Sequence, residues 1–369
     1  MNISVPRERR ESEHRVGLTP AGVELLTAAR HACYVEKNAG SGAGFSDVDY
    51  ERAGARIVYS SEEVYGRADL VLKVARPTEE EVAWLREGST LMGFLHLAAG
   101  KRERVEGLLA KRVTAIAYEL IQSDDGLLPV LTPLSQAAGR MAPQIAAMLL
   151  QNDRGGKGIL LGGVPGVPPA EVVIIGGGMV GTAAARAFLG AGANVHVLDQ
   201  DLARLQAIDQ MREPGGRVIT MVSHPFNIRK VVKFADVLVG AVLVPGTRAP
   251  IVVTREMLRS MKPRSVILDI AIDQGGCVET SRPTTHLNPI YIEENVIHYC
   301  VPNMTAVVAR TATHAFNNAA WPLIQEVALS GLEPALANLP ALRRGVAVRE
   351  GQIVNPTLAD SLRLQERGV

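Results

Sequence analysis

The sequence is poor in several features that mark whole classes of protein. It has three cysteines, Cys33, Cys277 and Cys300, whose spacing fits neither a metal site nor a disulfide framework, so we expect reduced thiols packed in an interior. A formal net charge of +1 argues against nucleic acid or an anionic membrane as an obligate partner. No apolar run reaches the ~18 residues of a membrane-spanning helix, and no signal peptide precedes the first predicted strand. We therefore expect a cytoplasmic protein of two domains with no metal site.

The most informative segment is a glycine-rich turn in the middle of the chain. A β-branched run, Val172–Ile175, leads into Gly176, Gly178 and Gly181, and a helix of small residues follows. In such a turn the glycines permit the bend, the approach of a pyrophosphate and close helix packing, and the helix N-terminus favours phosphate. Asp199 lies roughly 20 residues further on, at the end of the next strand, where it can accept ribose hydroxyls and would repel a 2′-phosphate. The pattern predicts that these residues bind NAD rather than NADP.

Strands and helical stretches alternate along both parts of the chain. The predicted strands are Ile3–Val5, Cys33–Glu36, Arg56–Val58, Leu70–Val74, Leu91–Leu95, Thr114–Ala117, Val172–Ile175, Val195–Asp199, Arg217–Met221, Val237–Val242, Val266–Ile272 and Ile297–Val301. This alternation predicts an α/β protein with doubly wound parallel sheets. We expect a Rossmann dinucleotide-binding domain at 132–307 and an α/β substrate domain of related topology at 1–131. A late helix with an apolar face at Phe316, Ala320, Leu323 and Val327 is expected to return to the substrate domain, which makes that domain discontinuous and adds 308–369.

Several motifs resemble the alanine dehydrogenase and nicotinamide nucleotide transhydrogenase family. The motifs that carry the resemblance are Val5–Pro20, Leu95–Ala99, Ala137–Arg140, Gly162–Gly166, Gly240–Gly246, Asp269–Gly276 and Asn303–Met304. The resemblance covers nearly the whole chain. It implies a homohexamer of two-domain subunits and the reversible, NAD-dependent oxidation of L-alanine to pyruvate and ammonium.

The resemblance implies functional roles for two residues of the first domain. Arg15 lies in a polar loop, where it would otherwise be interpreted as a surface residue, and its planar guanidinium suits the substrate carboxylate that the matching family residue holds. His96 ends an apolar strand, and the alternative is a core histidine bonded to a backbone carbonyl. Because imidazole changes charge near neutral pH and the family histidine transfers protons, we expect His96 to be catalytic.

Four further polar residues lie in the predicted dinucleotide domain. Asp273 follows an apolar strand and is expected to orient the water that attacks an imine, whereas Asp269, within that strand, is expected to make structural hydrogen bonds. Ser135 and Asn303 match family positions that contact the cofactor, with local turn hydrogen bonds as the alternative interpretation.

One position departs from the family pattern. The family normally has Lys-Val-Lys-Glu-Pro, and its second lysine binds and polarises the substrate, whereas this chain has Ala75 at that place in Lys73–Pro77. Because strand side chains alternate, we expect Lys73 and Ala75 to share a face and Lys73 to reach the substrate from about 6–7 Å along the strand. The alternatives are a harmless variant, and weakened alanine oxidation or a changed substrate.

Three functional hypotheses follow. The first is an NAD-dependent alanine dehydrogenase that acts on L-alanine, pyruvate and ammonium. The second is a related imine-reducing, opine-type dehydrogenase, because Val301–Asn303 resembles carboxyethyl-ornithine synthase, which also lacks the second lysine. The third is a nucleotide-binding subunit without turnover, as in the transhydrogenase, and the presence of Arg15, His96 and Asp273 counts against it.

Overall fold

The computed structural model describes residues 1–211, 218–244 and 247–366, and the first part of this chain alternates strands with helices. Its strands are β1 (Asn2–Val5), β2 (Ala32–Glu36), β3 (Arg56–Val58), β4 (Leu70–Ala75), β5 (Thr90–Phe94) and β6 (Thr114–Ala117). Its helices are α1 (Pro20–Ala28), α2 (Asp47–Arg52), α3 (Ser61–Gly66), α4 (Glu79–Trp84) and α5 (Arg102–Ala110). At the start of helix α1, Thr19 accepts a hydrogen bond from the Gly22 N–H and Pro20 occupies the first turn, which is a typical N-terminal capping pattern.

The middle of the chain repeats this alternation. Its helices are α6 (Thr132–Leu149), α7 (Met179–Gly190), α8 (Leu202–Asp209), α9 (Pro225–Val232) and α10 (Arg255–Arg259). Its strands are β7 (Glu171–Ile175), β8 (Asn194–Asp199), β9 (Ile219–Val222), β10 (Val237–Gly240), β11 (Val266–Asp269), β12 (Ile290–Glu293) and β13 (Val296–Tyr299). Arg217 of the predicted strand Arg217–Met221 and Pro245 and Gly246 of the motif Gly240–Gly246 lie outside the described residues.

The C-terminal part is mainly helical. Its elements are α11 (Ala309–Ser330), α12 (Leu332–Asn338), α13 (Pro340–Arg344), β14 (Val346–Arg349), β15 (Gln352–Ile353) and α14 (Pro356–Glu366). Helix α11 buries Phe316, Ala320 and Val327, as the apolar spacing predicts, and Leu323 is partly buried. The Gly331 residue that ends this helix has a φ of +83°.

Two mixed but mostly parallel sheets form the framework of the described residues. The strand order is β15-β14-β6-β5-β4-β1-β2-β3 in one sheet and β12-β13-β11-β10-β7-β8-β9 in the other. Strands β1 to β6 pair in parallel, as do β7 to β11 with β13. The predicted α/β class and parallel sheets are confirmed. Sequence periodicity missed β12, β14 and β15, which are short and pair antiparallel at the sheet edges.

The chain forms two compact units. The first comprises Met1–Leu134, Thr247 and the chain from Ala306 onward, and the second comprises Ser135–Val244 and Arg248–Thr305. In the first unit, Leu72 and Phe94 on one sheet face pack in the same core cluster as Phe316 of α11. A second cluster, with Val71, Leu91 and Val105, covers the other face of that sheet. Helices and loops therefore cover both faces of the first sheet, and polar side chains are left to its strand ends.

Three further observations bear on the exclusions made from the sequence. No helix in the described residues is both long and apolar enough to span a membrane. Within the same residues, no group of three or more His, Cys, Asp and Glu side chains is arranged to hold a metal ion. Cys33, Cys277 and Cys300 are free thiols and are buried.

Candidate active site

The glycine turn of the second unit joins β7 to α7. Gly176 has a φ of +106°, in the left-handed region that favours glycine, and a Cβ here would lie 2.3 Å from the Ala241 carbonyl oxygen. A Cβ on Gly181 would lie 1.8 Å from the carbonyl oxygen of Gly176, so α7 approaches the turn too closely for any side chain. A Cβ on Gly178 would meet nothing within 4 Å. The turn is therefore closed by backbone contact at two glycines and open at the third.

Asp199 ends β8 and is hydrogen-bonded to this turn. Its Oδ2 accepts the Gly177 N–H at 2.6 Å and its Oδ1 accepts the Asp201 N–H at 2.8 Å. Asp199 is 8% exposed, and Arg204 Nη1 of α8 lies 3.7 Å from its Oδ2. Arg204 was not predicted as a site residue. Its place in the first turn of the helix that follows Asp199 could have indicated that it lies near this carboxylate.

These residues have the donor and acceptor set that a dinucleotide requires. Gly178 is the N-cap of α7, and no side chain caps the N–H groups of the first turn, which are the groups that hold a pyrophosphate in such folds. The Asp199 oxygens keep acceptor capacity beyond their backbone hydrogen bonds, since each carboxylate oxygen has two lone-pair sites. Hydrogen-bond donors for a pyrophosphate and an acceptor for ribose hydroxyls thus lie on either side of one short turn.

Asp273 and Asn303 are brought together, although they are far apart in sequence. Asp273 lies in a short 3-10 helix, Ile270–Gln274, directly after β11, and its Oδ1 accepts the Asn303 N–H at 3.0 Å. Asn303 has a φ of +52°, a backbone conformation that asparagine tolerates better than most residues. Both side chains are half-buried at the carboxyl ends of neighbouring parallel strands, β11 and β13.

Asp269 has a different environment from Asp273. It is almost completely buried, and its Oδ2 accepts the N–H groups of Cys277 and Val278 at 2.9 and 3.1 Å. Burial raises the pKa of this carboxyl. Its hydrogen bonds hold the loop that returns beside β11, which is the structural role expected for Asp269.

Ser135 lies half-buried in the first turn of α6. One turn later, a Cβ on Gly139 would lie 2.5 Å from the Val180 carbonyl oxygen and 2.7 Å from the Ala183 side chain. Helix α6 therefore packs closely against α7, the helix that follows the glycine turn.

Arg15 of the first unit is buried and paired with a residue that sequence reasoning missed. Its Nε and Nη2 donate to the two Glu13 oxygens at 2.7 and 2.5 Å, and the arginine is 2% exposed. Two parallel N–H···O bonds fix the plane of the guanidinium. The only sequence signal for Glu13 was its position two residues before Arg15 in a loop. This spacing predicts a side-chain contact in neither a helix nor a strand.

His96 has an unusual backbone conformation. Its φ is +41° and its ψ is 47°, a left-handed conformation directly after β5. Glu119, which follows β6, accepts the His96 N–H at 2.5 Å and the Leu95 N–H at 3.1 Å. The His96 ring stacks on Phe94 at 6.5 Å between centroids. A strained backbone that is held by a buried carboxylate is typical of functional positions, and Glu119 was not predicted from the sequence.

Lys73 is committed to a buried ion-pair network. Its Nζ lies 2.8 Å from Glu81 Oε1 and 3.1 Å from Glu8 Oε2, and the side chain is completely buried. The Tyr65 hydroxyl donates to the same Glu81 oxygen. Burial by itself lowers the pKa of Lys73, but the two carboxylates outweigh burial and raise it. These contacts give Lys73 a structural role, and they give no support to its predicted contact with substrate, which stays a prediction.

The alternation on which that prediction rests is interrupted between Leu72 and Ala75. Leu72 pairs with Met92 of β5 and Ala75 pairs with Phe94, so three steps along β4 match two along β5. The Val74 N–H donates to Glu8 Oε1 at 2.7 Å. Because of this irregularity, the pleat does not by itself place Lys73 and Ala75 on one face.

The candidate residues of the first unit share one edge of its sheet. Strands β1, β4 and β5 are neighbours and run parallel, so their carboxyl ends meet at the same edge. The loop with Glu13 and Arg15 follows β1, Ala75 ends β4, and His96 follows β5. This edge collects a fixed cation and a histidine, which suit the binding of a carboxylate beside a proton-transfer group.

Comparisons with known proteins agree along the whole chain. The sequence models described as Alanine dehydrogenase/PNT, N-terminal domain and Alanine dehydrogenase/PNT, C-terminal domain match residues 4–138 and 142–356. The alanine dehydrogenase of Methanococcus maripaludis is 47% identical over 360 residues, which cover 97% of this chain and 96% of that one. A solved L-alanine dehydrogenase has a TM-score of 0.91 at 44% identity and covers 98% of this chain and 99% of its own.

A second solved structure shows how far the fold extends beyond close relatives. The transhydrogenase from Sinorhizobium meliloti has a TM-score of 0.78 at 24% identity and covers 96% of this chain and 99% of its own, a likeness of fold alone. Both family models, the long alignment and the two-unit architecture lead to one assignment: this chain belongs to the alanine dehydrogenase/PNT family.

Proposed function

We propose that this protein is an NAD-dependent amino-acid dehydrogenase of the alanine dehydrogenase type, which converts L-alanine and water to pyruvate and ammonium, reversibly. The observation that carries the proposal is the buried Glu13–Arg15 pair on the same sheet edge as His96. The similarity to alanine dehydrogenases over nearly the whole chain supports it. In this proposal the first unit is the substrate domain and the second is the NAD-binding domain.

The cofactor residues proposed are Gly176, Gly178, Gly181 and Asp199, with Ser135 and Asn303 as further contacts. NAD⁺ held by these residues would supply the hydride acceptor for the α-carbon of the amino acid. Asp199 favours NAD because a 2′-phosphate beside its carboxylate would be repelled. Arg204, 3.7 Å from that carboxylate, offsets part of this repulsion.

The proposed substrate-site residues bind the amino acid and transfer protons. Arg15 binds the α-carboxylate, and Glu13 keeps the guanidinium in one orientation. As the amine becomes an imine, His96 accepts a proton and later returns it. Asp273 orients the water that attacks the imine carbon, and the backbone bond from Asn303 orients Asp273. Loss of ammonia then leaves pyruvate.

A second candidate is an imine-reducing dehydrogenase that joins an amino acid, rather than ammonia, to a 2-oxo acid. The observation that favours it is Ala75, a buried methyl side chain where the family has a lysine, because Lys73 is already engaged by two carboxylates.

The experiment is a substrate screen of purified protein by NADH absorbance. Pyruvate with ammonium is compared with pyruvate plus individual amino acids, and NADPH replaces NADH in a parallel series. Faster NADH oxidation with ammonium supports the first proposal, and faster oxidation with an amino acid supports the second. Absence of turnover with every pair, while NADH still binds, contradicts both and favours a nucleotide-binding subunit without turnover.

The remaining proposals concern assembly and location. We infer a homohexamer from family membership, and light scattering coupled to size-exclusion chromatography measures the mass that tests it. Cytoplasmic location and the lack of a nucleic-acid partner stay predictions.

A further inference from the structure

Helix α11 carries a stripe of polar side chains in its first turns. Arg310, Thr313, His314 and Asn317 recur at spacings of three and four residues, which place them on one face of the helix. We refer to these four residues as the polar stripe. Thr313 is completely buried and Asn317 is 5% exposed, whereas the other two are exposed. The remaining buried residues of this helix are apolar, so the two buried polar side chains call for partners outside it.

The partners of Thr313 and Asn317 lie in the loop that carries Arg15. The Val16 N–H donates to Thr313 Oγ1 at 3.3 Å, and the Thr19 N–H donates to Asn317 Oδ1 at 3.1 Å. We refer to Glu13–Thr19 as the Arg15 loop. Because a buried backbone N–H without a partner is costly, these two hydrogen bonds favour one backbone path for the loop. The first of them acts on the residue directly after Arg15.

The exposed residues of the polar stripe contact the same loop through one intervening segment. The guanidinium carbon of Arg310 lies 4.9 Å from the centroid of the Phe45 ring, and the His314 ring packs edge-on against Phe45 at 5.4 Å. In the turn before Phe45, a Cβ on Gly42 would lie 2.8 Å from the His14 carbonyl oxygen. The polar stripe therefore supports the residue before Arg15 as well as the residue after it.

The backbone of the loop is also held from two other elements of the first unit. A Cβ on Gly17 would lie 2.1 Å from the Leu72 carbonyl oxygen, so the loop lies directly on the backbone of β4. The Tyr50 hydroxyl of α2 donates to the Leu18 carbonyl oxygen at 2.8 Å. Every residue from Val16 to Thr19 thus has a contact that restricts its backbone.

Asn317 is not an optimal residue for packing alone. Its Nδ2 is buried without a hydrogen-bond partner in the part of the chain that the structure describes. An unsatisfied buried donor is unfavourable for folding, and an apolar side chain of similar size would avoid it. The favourable contribution of Asn317 is therefore its hydrogen bond to the Arg15 loop.

We propose that Thr313 and Asn317 are positioning residues that hold Arg15 where it binds the carboxylate of the substrate. This inference rests on the proposed dehydrogenase function, in which Arg15 binds the α-carboxylate. Both residues act through the backbone of the Arg15 loop and need no contact with the substrate. A cation that is already oriented binds its ligand more tightly, because less conformational freedom is lost on binding. Loss of either hydrogen bond should therefore weaken substrate binding more than it changes cofactor binding.

The first test separates substrate binding from turnover. The kinetics of L-alanine oxidation are measured for Thr313→Val and Asn317→Leu at saturating NAD, and the KM for NAD is measured at saturating L-alanine. We expect the KM for L-alanine to rise about two- to tenfold, the range for loss of one hydrogen bond. The kcat should change less than this KM, and the KM for NAD should stay unchanged. Thr313→Ser keeps the hydroxyl and should restore the KM of the wild type.

The chain offers a matched control for each variant. Thr311→Val and Asn318→Leu make the same replacements at exposed positions of α11, and their kinetics should equal those of the wild type. A KM for L-alanine that stays unchanged in both buried variants would overturn the inference. A KM for NAD that rises as much as that for L-alanine would also overturn it, because this pattern indicates a general loss of structure. The same conclusion would follow if Thr313→Ser behaved like Thr313→Val.

The second test does not depend on turnover. Propionate, which has the carboxylate of alanine without its amine, is titrated calorimetrically into the protein saturated with NADH. We expect Arg15→Gln to weaken its binding most, and Thr313→Val and Asn317→Leu to weaken it about two- to tenfold. Equal affinities in the wild type and both buried variants would overturn the inference, as would the absence of Arg15-dependent binding in the wild type.

The two tests together distinguish this inference from the proposed function. Weaker propionate binding in Thr313→Val and Asn317→Leu, combined with no turnover of L-alanine by the wild type, would contradict the dehydrogenase proposal and leave the positioning role intact. Turnover of L-alanine by the wild type with unchanged KM and propionate affinity in both variants would support the dehydrogenase proposal and exclude the positioning role.

Discussion

Lys73 Nζ lies 2.8 Å from Glu81 Oε1 in the interior of the first unit. Glu8 completes the network from a third segment of the chain, 3.1 Å from the same nitrogen. Burial raises the pKa of Glu81, but the charge of Lys73 together with the hydrogen bonds from Lys73, the Thr78 N–H and Tyr65 lowers it overall. The only lysine of the Lys73–Pro77 motif is thus part of the core of the first unit. We therefore expect its replacement to change the stability of the protein, whereas changes at Ala75 should affect turnover.

Lys73→Met should destabilise the protein strongly. Removal of one partner leaves Glu8 and Glu81 buried without their cation, and such changes cost about 3–5 kcal/mol. The free energy of unfolding is measured in urea at neutral pH. Lys101→Met, which removes an exposed ion pair with Glu79, should change it little. Equal effects of the two variants would show that the buried network is not a major contribution.

Ala75→Lys should raise the turnover of L-alanine. A lysine at the end of β4 lies beside the His96 segment, where a charge-assisted hydrogen bond to the substrate contributes about 1.5–3 kcal/mol, or about 10- to 100-fold in kcat/KM. Ala75→Met controls for side-chain length without charge. If alanine turnover does not rise at all in Ala75→Lys, the absence of a lysine at this position does not limit alanine oxidation.

Asp199→Ala should shift the cofactor preference toward NADP. The variant removes the carboxylate that repels a 2′-phosphate, and it removes one of the two carboxylate partners of Arg204, the other being Asp201. We expect the ratio of kcat/KM for NADP to that for NAD to rise about tenfold or more, and Arg204→Gln in the same background to reverse the gain. Asp153→Ala, which removes an exposed carboxylate of the same unit, should leave the ratio unchanged. A loss of activity with both cofactors and no change in their ratio would contradict the assignment.

Glu119→Gln should impair catalysis more than cofactor binding. An amide has one acceptor oxygen, so the N–H of either Leu95 or His96 loses its partner and the His96 backbone is less constrained. We expect kcat to fall about tenfold, since loss of a hydrogen bond to a charged group costs about 1.5–3 kcal/mol. The dissociation constant of NADH, measured by fluorescence, should not change. Glu103→Gln on the exposed side of α5 is the control, and a kcat equal to that of the wild type in Glu119→Gln would exclude a positioning role.

Local signals in the sequence accounted for most of the regular elements. Thr19 and Pro20 start α1, and the β-branched run Val172–Ile175 forms β7, because capping and strand propensity act over a few residues. The antiparallel pair β14 and β15 was missed, because short edge strands carry too few residues for a periodic pattern.

The sequence by itself determined the parallel α/β framework, the glycine turn with Asp199 and the places of Arg15 and His96 at strand ends, since each depends on residues close together in the chain. Only the tertiary structure decided what surrounds them: Glu13 and Glu119 as supports, Lys73 in an ion-pair network with Glu8 and Glu81, and the hydrogen bond from Arg10 to the Arg76 carbonyl oxygen. These charges come from loops and strands that meet only when parallel strands align at one edge. Whether each of these charges is paired therefore depends on burial and packing, which local sequence patterns do not predict.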